Sequence, residues 1–142
     1  MSNYVADINW KPQKFTTVAE MIDACVKSME HYVGLEPMVV TNEPQQITNR
    51  AGEVYHSNVH LKIDVAAIEA DLNQGKRVMI APYGVMEDGT PLSGAGAAFL
   101  WTETVYNEHV RETEKSLQQF IDQTGYTARV GNKVFTRKKS QA

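Results

Sequence analysis

Tyr55, Ser57, Val59, Leu61 and Ile63 alternate with His56, Asn58, His60, Lys62 and Asp64. A period of two sustained over residues 55–64 marks a strand with one covered and one wet face, so the chain around it must supply that cover. Asp64 offers a side-chain oxygen to the first free amides of a short helix. In it Val65, Ile68 and Leu72 recur at helical spacing before Gly75 supplies a left-handed stop. So short a helix is marginal alone and is expected to pack its apolar stripe on the sheet. Residues 77–83 read as a second strand around Val-Met-Ile-Ala, ended by Pro82, which lacks the amide that a central strand donates.

Residues 96–105 are either a third strand or a backward extension of the next helix. At about 100° per residue, Tyr106, Val110, Thr113, Leu117, Phe120, Ile121 and Thr124 share one face, while Trp101 and Val105 fall outside it. The helix is therefore expected over 107–124, with Asn107 as N-cap and Gly125 as C′ residue, and 96–105 as strand. Strand, helix, strand, strand, helix, strand is the order of the ferredoxin-like split βαβ arrangement. The expected fold class is α+β, an antiparallel sheet with helices on one face. Its candidate form is a ferredoxin-like split βαβ core with an added N-terminal helix and hairpins. The middle connection, residues 84–95, is long for a hairpin and carries its own Asp88-Gly89 turn signal.

Before this core, residues 1–15 lack a period, but Tyr4, Val5, Ile8, Trp10 and Phe15 make them too apolar for a solvated arm. They read as an extended segment lying on the domain or on a neighbouring subunit. Thr17-Val18-Ala19-Glu20 fits a capping box. Val18, Met21, Ile22, Cys25, Val26, Met29, Tyr32 and Val33 then form an apolar stripe that Gly34 and Pro37 close, with His31 pointing away. Residues 38–41 are a short β-rich run. Residues 45–49 and 53–59 read as a hairpin with Gly52 in the left-handed position. At the other end, 126–130 and 133–137 flank Gly131-Asn132, the residue types of a type II′ turn.

A chain of 142 residues is expected as one domain over 1–142. At that size about two-thirds of the unfolded surface is buried, so no disulfide or metal is needed for stability. The lone Cys25 reads as a small buried hydrophobe in a cytoplasmic protein. No apolar leader and no run of about 18 apolar residues is visible, so neither a cleaved signal nor a membrane span is expected. The net charge of −3 conceals an uneven distribution. Arg129, Lys133, Arg137, Lys138 and Lys139 follow the last acid, Asp122. Removing those five from fourteen bases leaves nine against seventeen acids, a body at −8 and an end at +5. An acidic body repels phosphate, which makes duplex DNA an unsuitable partner. The basic end reads first as a solvated terminus and second as a contact for an acidic partner.

Chemical motifs are sparse. His56 and His60 stand about 13 Å apart on a strand at roughly 3.3 Å per residue, too far to share one metal ion. Together with Asn58 they line an open polar face. His109 and Glu112 on the last helix are two potential ligands, which do not make a site. Gly94-Ala95-Gly96 lacks the third glycine and the Lys-Ser/Thr of a phosphate loop, and reads as small residues that permit close backbone approach. No cofactor or metal is implied. The stretch 82–93, carrying Tyr83, Met86, Glu87 and Asp88, is long and partly apolar, as contact-making loops are.

These features suggest a non-enzymatic binding or regulatory protein, a homo-oligomer. It would engage a protein partner or a small anionic ligand through His56, Asn58, His60, Tyr83, Met86, Glu87 and Asp88. The rival is a small hydrolase or lyase with His56 or His60 as general base and Glu103 or Asp88 as acid. A third reading, an acidic mimic that inhibits a nucleic-acid enzyme, is disfavoured by a net charge of only −3.

Overall fold

A computed structural model describes residues 3–94, 96–130 and 133–135. The chain divides into two compact units, Met1–Val105 and Tyr106–Ala142. The described elements run β1 (Tyr4–Ile8), β2 (Lys11–Phe15), α1 (Val18–Ser28), β3 (Glu36–Thr48), β4 (Val54–Leu61), α2 (Val65–Asn73), β5 (Val78–Val85), β6 (Pro91–Ser93), β7 (Ala98–Thr102), α3 (Glu103–Thr124), β8 (Ala128–Val130) and β9 (Lys133–Phe135). The class is α+β, with every strand pairing antiparallel.

In the first unit the strand order is β2-β1-β7-β5-β3-β4, and β6 joins β5 off this path. β4 and β5 are the strands linked through α2, and β3 lies between them, so the strand-helix-strand unit is split by a strand that precedes it in sequence. The register puts Leu61, Val39, Ile80 and Ala98 in one row, and Val78, Leu100 and Ala6 in the next row on the same face. Most of these side chains form one core with Met21, Ile22 and Cys25 of α1 and with Ile68 and Leu72 of α2. Truncating a side chain such as Leu72 in this layer to alanine costs about 2–5 kcal/mol.

Local chemistry accounts for the helix boundaries. The Thr17 hydroxyl accepts from the Glu20 amide at 3.2 Å, but the Glu20 carboxylate takes a bond from the Thr16 hydroxyl. Only half of the expected capping box is therefore built. α1 stops at Ser28, earlier than the stripe through Val33 implied, and Val33 is fully in solvent. Beyond Met29 the chain turns through Met29–Tyr32 and Tyr32–Leu35 bonds instead. Asp64 caps α2 through the amides of Ala66 and Ala67, and Gly75 takes φ +84° after it. Ile68 and Leu72 are buried as expected, but Val65 is 40% exposed and stands outside the stripe.

Three further expectations are corrected. β5 does not end at Pro82 but runs on to Val85, because Pro82 pairs in register with Pro37 of β3. Two residues without amide hydrogens face each other, so no donor is stranded, and the Pro82 carbonyl accepts from the Gly94 amide at 3.0 Å. Residues 38–41 and 45–48 are parts of one strand, β3, with a register shift between Val40 and Pro44. α3 begins at Glu103, so Val105 is helical and Asn107 is not its cap; the Thr102 hydroxyl accepts from the Val105 amide.

In the second unit Ile121 is buried, while Phe120, expected on the same face, is half exposed and lies near Tyr126. β8 and β9 form a separate ladder, and the expected Gly131-Asn132 turn lies outside the described residues, as do Arg137, Lys138 and Lys139. No helix among the described residues is long and apolar enough to cross a membrane.

Burial pushes the Cys25 thiol up to about 12. Between the ordinary thiol range and that value the folded form holds a proton that the unfolded chain releases. Its contribution to stability is therefore present below the unfolded pKa and is lost as pH rises toward 12.

Candidate functional site

The face of the sheet opposite α1 and α2 carries the residues that alternate with the core rows. His60 of β4 stands opposite Val40 of β3, which stands opposite Met79 of β5. Tyr83 lies further along β5, and its ring reaches over the intervening β3 to stack on His60, with centroids 3.9 Å apart and planes 12° from parallel. His60 Nδ1–H donates to the Asn58 carbonyl at 2.9 Å. That bond leaves Nε2 as an acceptor in the neutral ring and as a second donor in the imidazolium. Backbone contact and aromatic stacking together hold the ring in one orientation.

Around this pair lies an open groove of about 440 Å³. Its polar lining comes from Tyr55, His56, Ser57, Asn58 and His60 of β4 with Tyr83 and Ser93, and its apolar lining includes Val40, Met79, Ala81 and Leu92. None of the lining residues is acidic. Gly94 also borders the groove, and a methyl group added there would lie 2.7 Å from the Tyr32 ring. The small residues after β6 thus make room for an aromatic ring.

The structure divides the candidate residues in two. His56, Asn58, His60 and Tyr83 come together in the groove, whereas Met86, Glu87 and Asp88 sit at the exposed tip of the β5–β6 hairpin and do not line it. That tip docks on the chain's own β3–β4 turn. The Asp88 carbonyl accepts from the Arg50 amide at 2.8 Å, and the Asn49 amide group donates to the Thr90 hydroxyl at 3.1 Å. Asp88 Oδ1 accepts from the Thr90 amide, and Thr90 bonds hold its carboxyl below the usual carboxylate range. Glu103, the other acid considered, lies 3.9 Å from Lys14 and away from the groove. His109 and Glu112 are exposed on α3. Among the described residues no three His, Cys, Asp or Glu side chains gather into a metal-binding group.

A second feature escaped the sequence reading. Residues 4–15 lie on the domain in extended form, as expected, but they do so as the β1–β2 hairpin, with β1 paired to β7, Asn9 at φ 52° and Trp10 at φ 66°. Two left-handed residues make the tight turn that matches strand twist. Trp10 is nevertheless 94% exposed. With Asp7, Asn9 and Phe99 it lines an apolar cavity of about 330 Å³. Asp7 Oδ1 is buried without a hydrogen-bond partner among the described residues, and the Arg77 guanidinium lies 4.8 Å from the Phe99 ring centre. Asn9 was a legible turn signal, but tryptophan in the second position hid it, since glycine is the residue expected there.

Comparison with protein-family models, with curated proteins and with solved structures returned no match, so the chemistry of this face is read from its own geometry.

Proposed function

We propose that this protein is a self-associating binding protein whose histidine-bearing sheet face takes a small anionic ligand, a phosphate or a carboxylate. The observation that carries this reading is the groove itself. It collects imidazole, amide and hydroxyl groups from His56, Asn58, His60, Tyr83 and Ser93 with no lining carboxylate. Such groups donate hydrogen bonds to anionic oxygens, and an imidazolium adds charge assistance. The stacked His60–Tyr83 pair is already oriented, so little side-chain freedom is lost on binding. The hydrolase or lyase reading is less favoured because a general base needs a partner within hydrogen-bond reach. Neither Glu103 nor Asp88 borders the groove.

Titration with inorganic phosphate and, separately, with succinate, followed by histidine side-chain NMR, tests the reading. Saturable shifts of the His56 and His60 resonances are expected. A His56→Ala/His60→Ala variant should bind at least about tenfold more weakly, the equivalent of about 1.4 kcal/mol. Shifts confined to other residues, or none up to millimolar ligand, would overturn it.

A further inference from the structure

The self-association in that reading requires a surface, and the sheet offers one. β4 is the last strand in the sheet order, and among the described residues it has a partner, β3, on one side only. An edge strand presents unpaired amides and carbonyls along its free side, and proteins ordinarily blunt such edges with charge, proline or bulges. β4 has none of these. Its sequence, Val54 to Leu61, holds no proline and no Lys, Arg, Asp or Glu. The irregularity in its pairing sits on β3, where Thr41, Asn42 and Glu43 stand against Val59 alone, so the additional residues belong to the inner strand. Val54 and Leu61, at the two ends, are 49% and 51% exposed.

We infer that β4 pairs antiparallel with β4 of a second copy of this chain, about a two-fold axis at Ser57. A two-fold axis perpendicular to the sheet keeps each face on its own side, so opposed residues must have the same parity. Centring on Ser57 meets this condition. It sets Tyr55 against Val59 on one face, and His56 against Asn58 and Val54 against His60 on the other. An aromatic side chain opposite a β-branched one is a favourable cross-strand pair, and no like charges meet. An extended segment of another protein would satisfy the same backbone groups but would lack this matched set, which favours the second copy. The pairing joins the two sheets edge to edge and brings the two histidine faces side by side on one surface.

The inference rests on the self-association half of the proposed function, and the two can fail separately. Sedimentation of the full chain from about 1 to 100 µM should show a monomer–dimer equilibrium. Opposed Cα atoms in antiparallel strands lie about 4.5–5.5 Å apart, within disulfide range. Ser57→Cys should therefore oxidise readily to a covalent dimer, and the native Cys25, being buried, does not compete. Lys11→Cys, on the opposite edge, is the control: it should keep the β4 equilibrium and form no covalent dimer. Ser57→Lys, which sets like charges opposite each other, should weaken the dimer at least about tenfold. A wild-type monomer throughout the range overturns both the inference and self-association, leaving anion binding to its own titration. A dimer that survives Ser57→Lys, with Ser57→Cys cross-linking no faster than Lys11→Cys, overturns the β4 inference alone.

Discussion

β2 ends the sheet on one side with Lys11, Pro12 and Lys14 among its five residues, whereas β4 ends it on the other with eight uncharged residues and no proline. The two edges face the same hazard, unpaired backbone groups that template further strands, and only one is defended. Their hairpin turns differ in the opposite sense. The β3–β4 turn uses Gly52 at φ 82° and is fastened by Asn49, 6% exposed, whose Oδ1 accepts from the Glu53 amide. The β1–β2 turn places Trp10 in left-handed backbone and in solvent. The defended edge thus carries the strained turn, and the open edge carries the well-made one. A rigid, open edge suits strand addition, because the added strand meets a template whose conformation is already fixed.

The largest expected effect comes from loosening the turn that holds β4. Asn49→Ala removes the bonds to the Glu53 amide and the Thr90 hydroxyl and should destabilise the fold by about 1–2 kcal/mol, the net worth of two intramolecular hydrogen bonds. Urea unfolding measures it, and a change under about 0.5 kcal/mol would show that the turn is not held by this side chain. Removing the defences of the other edge should act next. Lys11→Thr, Pro12→Val and Lys14→Thr together give β2 the composition of an open edge. If β4 already self-pairs, particles larger than a dimer should then appear in sedimentation; an unchanged mass would show that proline and lysine are not what keeps β2 unpaired.

Much of this contrast was legible in the residues. The alternation through His56, Asn58 and His60 and the Gly52 turn identified β4, and the Asp64 cap and Gly75 stop bounded α2, because each is a local rule with one outcome. What could not be read was long-range pairing. Pro82 stops a strand when judged alone but continues one when Pro37 stands opposite it. The joining of residues 36–48 into a single strand depends on two partners, β4 and β5, that take different parts of it. At the candidate site the His60–Tyr83 stack spans two strands and has no sequence signal. Asp88 looked like a ligand-facing acid because loop composition does not reveal that the loop closes on its own Thr90 and Arg50.

Trp10→Gly sharpens the contrast between the turns. Glycine adopts φ 66° without the steric penalty of about 1 kcal/mol that a side chain incurs in left-handed backbone. Because Trp10 is almost wholly in solvent, little packing is lost, and the variant should be more stable by about 0.5–1 kcal/mol. A loss of stability would mean that the indole contributes through the cavity it shares with Asp7 and Phe99.

The smallest effect is electrostatic and belongs to the loop that docks on the β3–β4 turn. Thr90 holds the Asp88 carboxyl below its ordinary value, so the folded protein binds that proton less readily than the unfolded chain does. The resulting stability is present above the unfolded value of about 3.9 and is lost as pH falls through the lower folded one. Asp88→Asn cannot titrate. The difference in melting temperature between wild type and variant should therefore be largest near pH 5 and shrink toward pH 2. Because Asp88 is fully exposed, solvent and salt screen the interaction and the difference should be small. A difference that grows on acidification would reverse the sign of this linkage, and would mean that the Thr90 bonds favour the protonated carboxyl.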